Sequence, residues 1–269
     1  MTATTFPTRT ASPVRATTIV DTFNAEWTKL RTLRSTWFTV GGTVFISVGL
    51  AALICIAQVS QWDQMSAKQR LQFDPTSTAL IGVLFAAVIL GTLAVRAITS
   101  EYSSSMIRVT FSAIPGRRGV LAAKAAVLAV IAFPVALATN LASFFLGRQI
   151  LSAKHVSMSL SQPGVIRAIV FGALTVSLVT LIGLGLGGII RRTAGATTAL
   201  MLGIIGSQIF GIALPAGARQ YLPGAAIQAV VSVKHLAGLL PPATALAVLA
   251  GYALVALAVA SRLITARDA

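Results

Sequence analysis

The sequence predicts an all-α, polytopic membrane protein with six transmembrane helices, both termini in the cytosol and an amphipathic interfacial helix before the first span. Three observations predict this class: 56% of the residues are hydrophobic, only 10% are charged, and long apolar stretches alternate with basic gaps. About 20 helical residues cross the ~30 Å hydrocarbon core of a bilayer. The six stretches of sufficient length are 37–57, 78–98, 125–146, 165–190, 194–214 and 242–260, within a transmembrane domain of residues 37–262.

The distribution of basic residues predicts the orientation of the spans. If the N-terminus is cytosolic, 14 of the 21 Lys and Arg residues lie in cytosolic segments and seven in the outer gaps. Short cytosolic loops carry an excess of positive charge, so both termini are expected inside. The net charge of +15 does not indicate nucleic-acid binding, because a binder gathers its basic residues on one face and these are dispersed at membrane boundaries. Anionic lipid head groups are the expected partners of these residues.

The chain before the first span divides into two parts. Residues 1–17 are rich in Thr, Pro and Arg, which predicts a disordered cytosolic tail. Residues 18–36 predict an amphipathic helix on the inner leaflet, because an apolar stripe recurs there at steps of three and four. The stripe consists of Val20, Phe23, Trp27, Leu30, Leu33 and, just beyond, Trp37. A cytosolic extension of the first membrane helix is the alternative. The residues expected to anchor the helix at the interface are Trp27, Lys29, Arg31 and Arg34.

The longest cytosolic gap, residues 99–124, has the composition of a structured loop. Pro115 and Gly116 favour a turn, so a short helix followed by a turn is expected, and a solvated loop is the alternative. Glu101 is the only acid in this basic segment. Its expected partners are Arg96, Arg108 or a base of another protein.

The longest outer gap contains a second short element. Residues 224–238 are apolar but too few to cross a bilayer, and prolines bracket the gap. The length predicts an outer helix that is either interfacial or re-entrant.

Small and polar residues inside the spans predict helix packing. Asn140 and Gln208 are candidates for the path of a transported substrate, with interhelical hydrogen bonding as the alternative. No acid lies at mid-span, which disfavours a proton- or sodium-driven transporter. Five small residues at steps of four along the fifth span predict a close helix contact, either within the bundle or at a dimer interface. They are Gly195, Ala199, Gly203, Ser207 and Gly211.

The motifs of common enzymes and metal sites are absent from the sequence. It contains no Gly-Lys dipeptide and hence no P-loop, so any ATP that drives the protein must bind to another polypeptide. Gly183, Gly185 and Gly188 match a dinucleotide-binding spacing, but they lie inside an apolar span, which favours tight helix packing. His155 and His235 have no second ligand at a useful spacing, so neither a metal site nor a catalytic residue is predicted.

Two basic segments carry a resemblance to a known family. The matching residues are 26–36 before the first span, 99–102 after the second, and 107–109, Pro115, Arg117, Arg118 and 121–124 in the gap that follows. On these residues, the chain from residue 20 to its end resembles the six-helix permease subunits of ABC exporters of the second type. The serines at 103–105 depart from the family, whose members often carry a charged residue there.

The resemblance implies a mechanical function with separate partners. Such a permease works in the plasma membrane with a second copy or a homologue, and ATP and Mg²⁺ bind to separate ABC ATPase subunits. Residues 99–124 would contain the coupling element that docks on the ATPase, and 224–238 would be an extracellular helix. The residues that this implies for coupling are Glu101, Tyr102, Arg108, Pro115, Arg117 and Arg118.

Two other functions remain open from the sequence. A non-catalytic membrane scaffold or immunity-type protein also fits six spans, and ATPase stimulation by a transported compound would distinguish a permease from it. An intramembrane lipid-modifying enzyme would need a nucleophile and a base that converge near the membrane face, and the sequence offers no convincing pair. Export rather than import follows from the family resemblance alone.

Overall fold

Six helical segments long and apolar enough to cross a bilayer run through the protein, whose computed structural model describes residues 19–103, 117–234 and 238–267. These described residues form helices and connecting turns without a β-strand. The segments are Arg34–Gln64, Pro75–Ser103, Arg118–Lys154, Val165–Ile190, Thr193–Phe210 and Pro242–Ala266. The predicted all-α class with six spans is confirmed.

Twelve α-helices occur in the part of the chain that the structure describes. In chain order they are α1 (Ile19–Thr32), α2 (Arg34–Gln61), α3 (Ala67–Gln72), α4 (Pro75–Ala79), α5 (Gly82–Ser103), α6 (Arg117–Leu151), α7 (Val165–Ile190), α8 (Thr193–Met201), α9 (Ser207–Phe210), α10 (Ala216–Arg219), α11 (Pro223–Val231) and α12 (Pro242–Arg267). A π-helical turn, Leu202–Gly206, joins α8 to α9.

The chain turns a corner between α1 and α2. Leu33 has an extended backbone (φ −75°, ψ 113°), which ends α1 at Thr32 and starts α2 at Arg34. The Trp37 indole N–H donates to the Arg31 carbonyl at 2.9 Å and spans the corner. The helix that the sequence predicts over 18–36 is therefore shorter, and residues 34–36 belong to the first turn of α2.

The second span begins earlier than its apolar stretch. Pro75 occupies the first turn of α4, and the Asp74 carboxylate accepts from the backbone N–H of Thr76 and of Ser77 at 3.1 Å each. This side chain and a proline in the first turn are strong helix-start signals. Leu80 then leaves helical geometry, so α4 and α5 form one span with a break between them.

The outer helix is shorter than expected and is not a surface element. α11 ends at Val231, whereas the prediction extended to 238, and residues 235–237 lie outside the described residues. The second carboxylate oxygen of Asp74 accepts from Val233 N at 2.7 Å and from Lys234 N at 3.0 Å, which draws the chain away from the helix axis. From Gly224 to Val231 every residue except Gln228 is buried.

The fifth span is interrupted where α11 packs against it. The sequence predicts one helix over 194–214, but the π-helical turn separates α8 from α9. Gly224 N donates to the Ser207 hydroxyl at 2.9 Å, and a Cβ on Gly224 would lie 2.6 Å from the carbonyl oxygen of Ile204. A π-helical turn is a known way for a helix to accommodate such a local contact.

α7 is the central helix of the bundle, packed against α5, α6 and α12. Its glycines allow this packing: a Cβ on Gly183 would lie 2.3 Å from the carbonyl oxygen of Gly91, and one on Gly185 would lie 2.6 Å from the Cβ of Ala256. A Cβ on Gly188 would likewise lie 3.1 Å from the Cβ of Ala260. Small residues let membrane helices approach closely, and these three glycines have that role, as expected.

Candidate functional site

One end of the bundle gathers α1 and the ends of four long helices, and we call it the α1 end. Glu26 of α1 meets Lys124 of α6 there, and the Arg191 guanidinium, at the end of α7, lies 4.7 Å from the ring centroid of Tyr102 on α5. Arg191 also donates to the carbonyl of Leu263 on α12 at 3.4 Å. At the opposite end, which we call the α11 end, the structure has α3, α4, α11 and the start of α7.

Four charged residues form a connected cluster at the α1 end, which we call the buried charge cluster. The Lys124 ammonium donates to Glu26 Oε2 at 2.6 Å and to Glu101 Oε1 at 2.8 Å. Lys29 donates to the same oxygen of Glu101. The cluster therefore links α1, α5 and α6, and its two carboxylates balance its two ammonium groups.

Three members of the cluster are almost completely inaccessible to solvent. Glu26 is 7% exposed, Glu101 is 4% and Lys124 is 2%, whereas the Lys29 side chain is 38% exposed. Ion pairs attract more strongly away from water, but each buried charge has a large desolvation cost. Such a cluster is stable only when every charge has its partner, so α1 must stay docked for Glu101 and Lys124 to be fully paired.

An apolar layer lies beneath the cluster and positions it. Leu30 of α1, Ile98 of α5 and Leu121 of α6 belong to one buried group of side chains, together with Ala260 and Ile264 of α12. Glu26 precedes Leu30 by four residues and Glu101 follows Ile98 by three, so each acid projects from the apolar face of its own helix. The charged atoms consequently meet at the boundary of a water-excluding layer.

The charge cluster differs from the expected pairing of Glu101. The sequence suggested Arg96, Arg108 or another protein, but the partners are Lys124 and Lys29, and Arg96 is exposed. Arg108 lies outside the described residues. Lys124 was assigned to a loop, whereas α6 starts at Arg117 and carries Lys124 in its second turn.

The buried face of α1 also differs from the expected one. In the predicted apolar stripe, Leu30 is buried but Val20 and Leu33 are exposed, and the row that is buried consists of Thr22, Glu26 and Leu30. These three residues are spaced by four, so they lie on one face of α1. Glu26 in the middle of this row was the sequence signal that could have indicated a buried, basic partner.

A comparison with known families decides the class of the protein. Residues 22–213 match the family described as ABC-2 family transporter protein. The chain belongs to the ABC-2 transporter family. The match covers α1 to α9 and so contains the whole buried charge cluster. No curated protein matches the chain.

Membership of the ABC-2 family confirms several expectations. The chain is a multi-pass membrane protein and a permease of the ABC transporter class, whose members are membrane transport subunits and not the ATPases themselves.

The remaining residues expected for coupling are only partly described in this ABC-2 permease. Tyr102 is half-buried under the Arg191 guanidinium, so it joins α5 to α7. Arg117 is the first residue of α6 and Arg118 is exposed next to it. Pro115, like Arg108, lies outside the described residues.

The expected interfacial anchors of the permease divide into two pairs. Trp27 is half-buried and stacks on Phe23 with ring centroids 6.4 Å apart, and Lys29 belongs to the charge cluster. Arg31 and Arg34 are exposed at the corner between α1 and α2. Of the four expected anchors, these two arginines are the residues that are exposed.

Asn140 and Gln208 lie in different environments. Asn140 is 1% exposed and donates from Nδ2 to the carbonyl of Ile169 at 3.0 Å, an interhelical hydrogen bond between α6 and α7. Gln208 is half-buried, donates to the carbonyl of Gly224 at 2.9 Å and lines a pocket of about 410 Å³ at the α11 end. Gln58 and Gln228 line the same pocket.

The small-residue stripe of the fifth span does not lie on one packed face. Gly195 and Gly203 are exposed, and no heavy atom lies within 4 Å of a Cβ built on Gly203. Ala199 and Ser207 are half-buried, and Gly211 is buried near Leu222. Gly203 therefore packs against none of the other described helices, and the dimer interface remains a prediction.

Proposed function

We propose that the chain is the membrane-spanning subunit of an ABC exporter, driven by a separate ATPase subunit. The observation that carries the proposal is the buried charge cluster at the α1 end. It ties α1 to α5 and α6, the two helices that flank residues 104–116. A partner that bound this segment and moved α5 and α6 would therefore move α1 with them.

The motor of this exporter is a different polypeptide. A phosphate-binding loop needs a lysine beside its glycine-rich turn, and the chain has no Gly-Lys dipeptide. ATP and Mg²⁺ accordingly bind to the partner subunit. Arg118 and Arg192 are exposed at the α1 end, which favours a docking face on the ATPase that carries acidic residues.

The α1 end faces the cytosol in this proposal, at the plasma membrane of the cell. The segments assigned to this side hold twice as many basic residues as the others, and the positive-inside rule then predicts both termini there. The ATPase docks from the same side, because ATP is a cytosolic nucleotide.

The permease works with a second permease copy or a homologue. Gly203 leaves an open position on the fifth span, because a Cβ added there would contact none of the other described helices, and large apolar side chains flank it at Leu202 and Ile205. Small residues allow a helix of a second copy to approach closely, and the flanking side chains can pack around the contact.

The pocket at the α11 end is part of the proposed substrate path. Its amide side chains, Gln58, Gln208 and Gln228, lie among apolar residues of α2, α5 and α11. The buried Gln58 Oε1 accepts no hydrogen bond from the described residues. Such a lining suits an uncharged polar group on an apolar molecule, because amides donate and accept hydrogen bonds without attracting a counter-ion.

Purification from native membranes tests the assignment, and two matched variants test the coupling role of the cluster. The tagged chain is expected to bring down a P-loop ATPase. In proteoliposomes, Glu101→Gln should lower the amount transported per ATP hydrolysed while the ATPase still co-purifies. Asp63→Asn is the control, because Asp63 also pairs with a lysine, Lys154, but is 74% exposed at the α11 end.

Two outcomes would contradict the proposal. If no P-loop ATPase accompanies the chain, the permease has no separate motor. If Glu101→Gln transports as much per ATP as Asp63→Asn does, the cluster has no part in coupling. Thermal midpoints of both variants show whether a loss of transport is only a loss of folded protein.

A further inference from the structure

An apolar groove runs between α1, α2 and α6 at the α1 end, and we call it the corner groove. Its volume is about 230 Å³. An apolar cavity of about 150 Å³ already accommodates benzene, so the corner groove has room for part of an acyl chain. Its lining is mostly apolar and includes Trp37 of α2 and Val130 of α6, with Arg31 of α1 at its edge.

The rim of the corner groove is positively charged. Arg31 lines the groove, Arg34 precedes the lining residue Thr36 by two positions at the start of α2, and both arginines are exposed. Neither arginine forms a salt bridge with a described residue. Of the acids on α1, Glu26 is paired with Lys124, and Asp21 lies ten residues before Arg31, about 15 Å along the helix.

The groove lies beside large exposed apolar side chains at the start of the first span. Trp37 is 60% exposed and Phe38, its neighbour at the start of the first span, is 80% exposed. The Trp37 indole N–H is bonded to the Arg31 carbonyl, so its polar edge points toward the charged rim. Tryptophans in this arrangement are typical of the membrane–water interface.

We infer that the corner groove is a binding site for one anionic phospholipid, with an acyl chain between α2 and α6 and the phosphate at Arg31 and Arg34. The apolar part alone gives little selectivity, because bilayer tails are as apolar as the groove. Selectivity comes from the two arginines, which attract anionic head groups over zwitterionic ones. The inference is independent of the proposed ATPase and of which leaflet the α1 end faces.

Native mass spectrometry of the delipidated full chain tests the site. The protein is incubated with equal amounts of dioleoyl phosphatidylglycerol and dioleoyl phosphatidylcholine, and we expect one retained phosphatidylglycerol. Arg31→Gln should lower its retention about fivefold, the effect typical of one basic residue at a membrane surface, and Arg31→Lys should keep most of it. Arg262→Gln is the control, because Arg262 is exposed on α12, a helix outside the groove.

A second variant tests the groove without changing a charge. Val130 is 51% exposed in the groove wall, so Val130→Trp should fill the space and remove the retained lipid while both arginines remain. Equal retention of the two lipids would overturn the inference. So would equal effects of Arg31→Gln and Arg262→Gln, or retention by Val130→Trp, because these results indicate annular lipid only.

Discussion

The Lys124 ammonium lies 2.6 Å from a carboxylate oxygen of Glu26, although the two residues are 98 positions apart in the chain. The contact joins α1 to α6, and both side chains are buried, so it exists only while α1 is docked on the bundle. Lys124 bonds Glu101 at the same time. Loss of this one ammonium group therefore leaves two buried carboxylates with a single remaining cation, Lys29.

Replacement of Lys124 is the first test of this relationship. Lys124→Ala should lower the free energy of unfolding by about 3–5 kcal/mol, because removing one partner of a buried ion pair leaves an uncompensated charge. The measurement is the thermal or denaturant midpoint of the purified chain in one detergent. Lys154→Ala is the matched control: its partner Asp63 is exposed, so the midpoint should hardly change. Equal shifts in the two variants would show that the cluster contributes no more than a surface pair.

Replacing the two acids of the cluster tests whether both share Lys124 as their partner. Replacing both together, Glu26→Gln with Glu101→Gln, leaves hydrogen-bonding groups in place but leaves Lys124 without a counter-charge. The double variant should therefore be less stable than either single variant, and a double-mutant cycle measures the coupling between the acids. Strictly additive midpoint shifts would mean that they do not share Lys124 in solution.

The bounds of α7 were predictable from the sequence, and the reason is local. The helix starts after Gly164 and ends before Arg191, both in the left-handed region with φ 90° and 59°. The apolar stretch and its flanking Gly and Arg residues therefore mark the same bounds as the backbone. The charge cluster was not predictable in this way, because it depends on how α1, α5 and α6 are placed relative to one another.

The fifth span shows the same limit on sequence-based prediction. Its small residues at steps of four implied one continuous face. The π-helical turn at Leu202–Gly206 has more residues per turn than an α-helix, so residues before and after it no longer share that face. The turn accompanies the contact between Gly224 and Ile204, which are 20 positions apart. A local periodicity cannot contain the effect of a distant segment.

The crossing of α5 and α7 makes a steric prediction. A Cβ on Gly183 would lie 2.3 Å from the carbonyl oxygen of Gly91, so Gly183→Ala must push the two backbones apart. Overpacking of this kind costs about 1–3 kcal/mol, and the denaturation midpoint of the variant measures it. Gly49→Ala on α2 is the control, because nothing lies within 4 Å of that position. A Gly183 variant as stable as the control would mean that the helices do not approach so closely.

The open face at Gly203 makes a prediction about assembly. Gly203→Leu should leave the folded monomer intact, because a Cβ on Gly203 would lie more than 4 Å from every other described helix. If a second copy packs there, the same change should shift the chain from dimer to monomer in light scattering after size-exclusion chromatography. A variant that assembles and transports as the original chain does would remove this face from the interface.

Variants of Asn140 and Gln208 should affect different properties: the first should lower stability and the second should change substrate recognition. Asn140→Ala removes one interhelical hydrogen bond, so the expected loss of stability is about 0.6 kcal/mol, the average for such bonds in membranes, and at most about 1.7 kcal/mol. Because Asn140 is buried away from the pocket at the α11 end, the order in which compounds stimulate the ATPase should not change. Gln208→Ala should change that order, since its amide lines the pocket. If instead Asn140→Ala alters the order and Gln208→Ala does not, the substrate path lies between α6 and α7 and not at the α11 end.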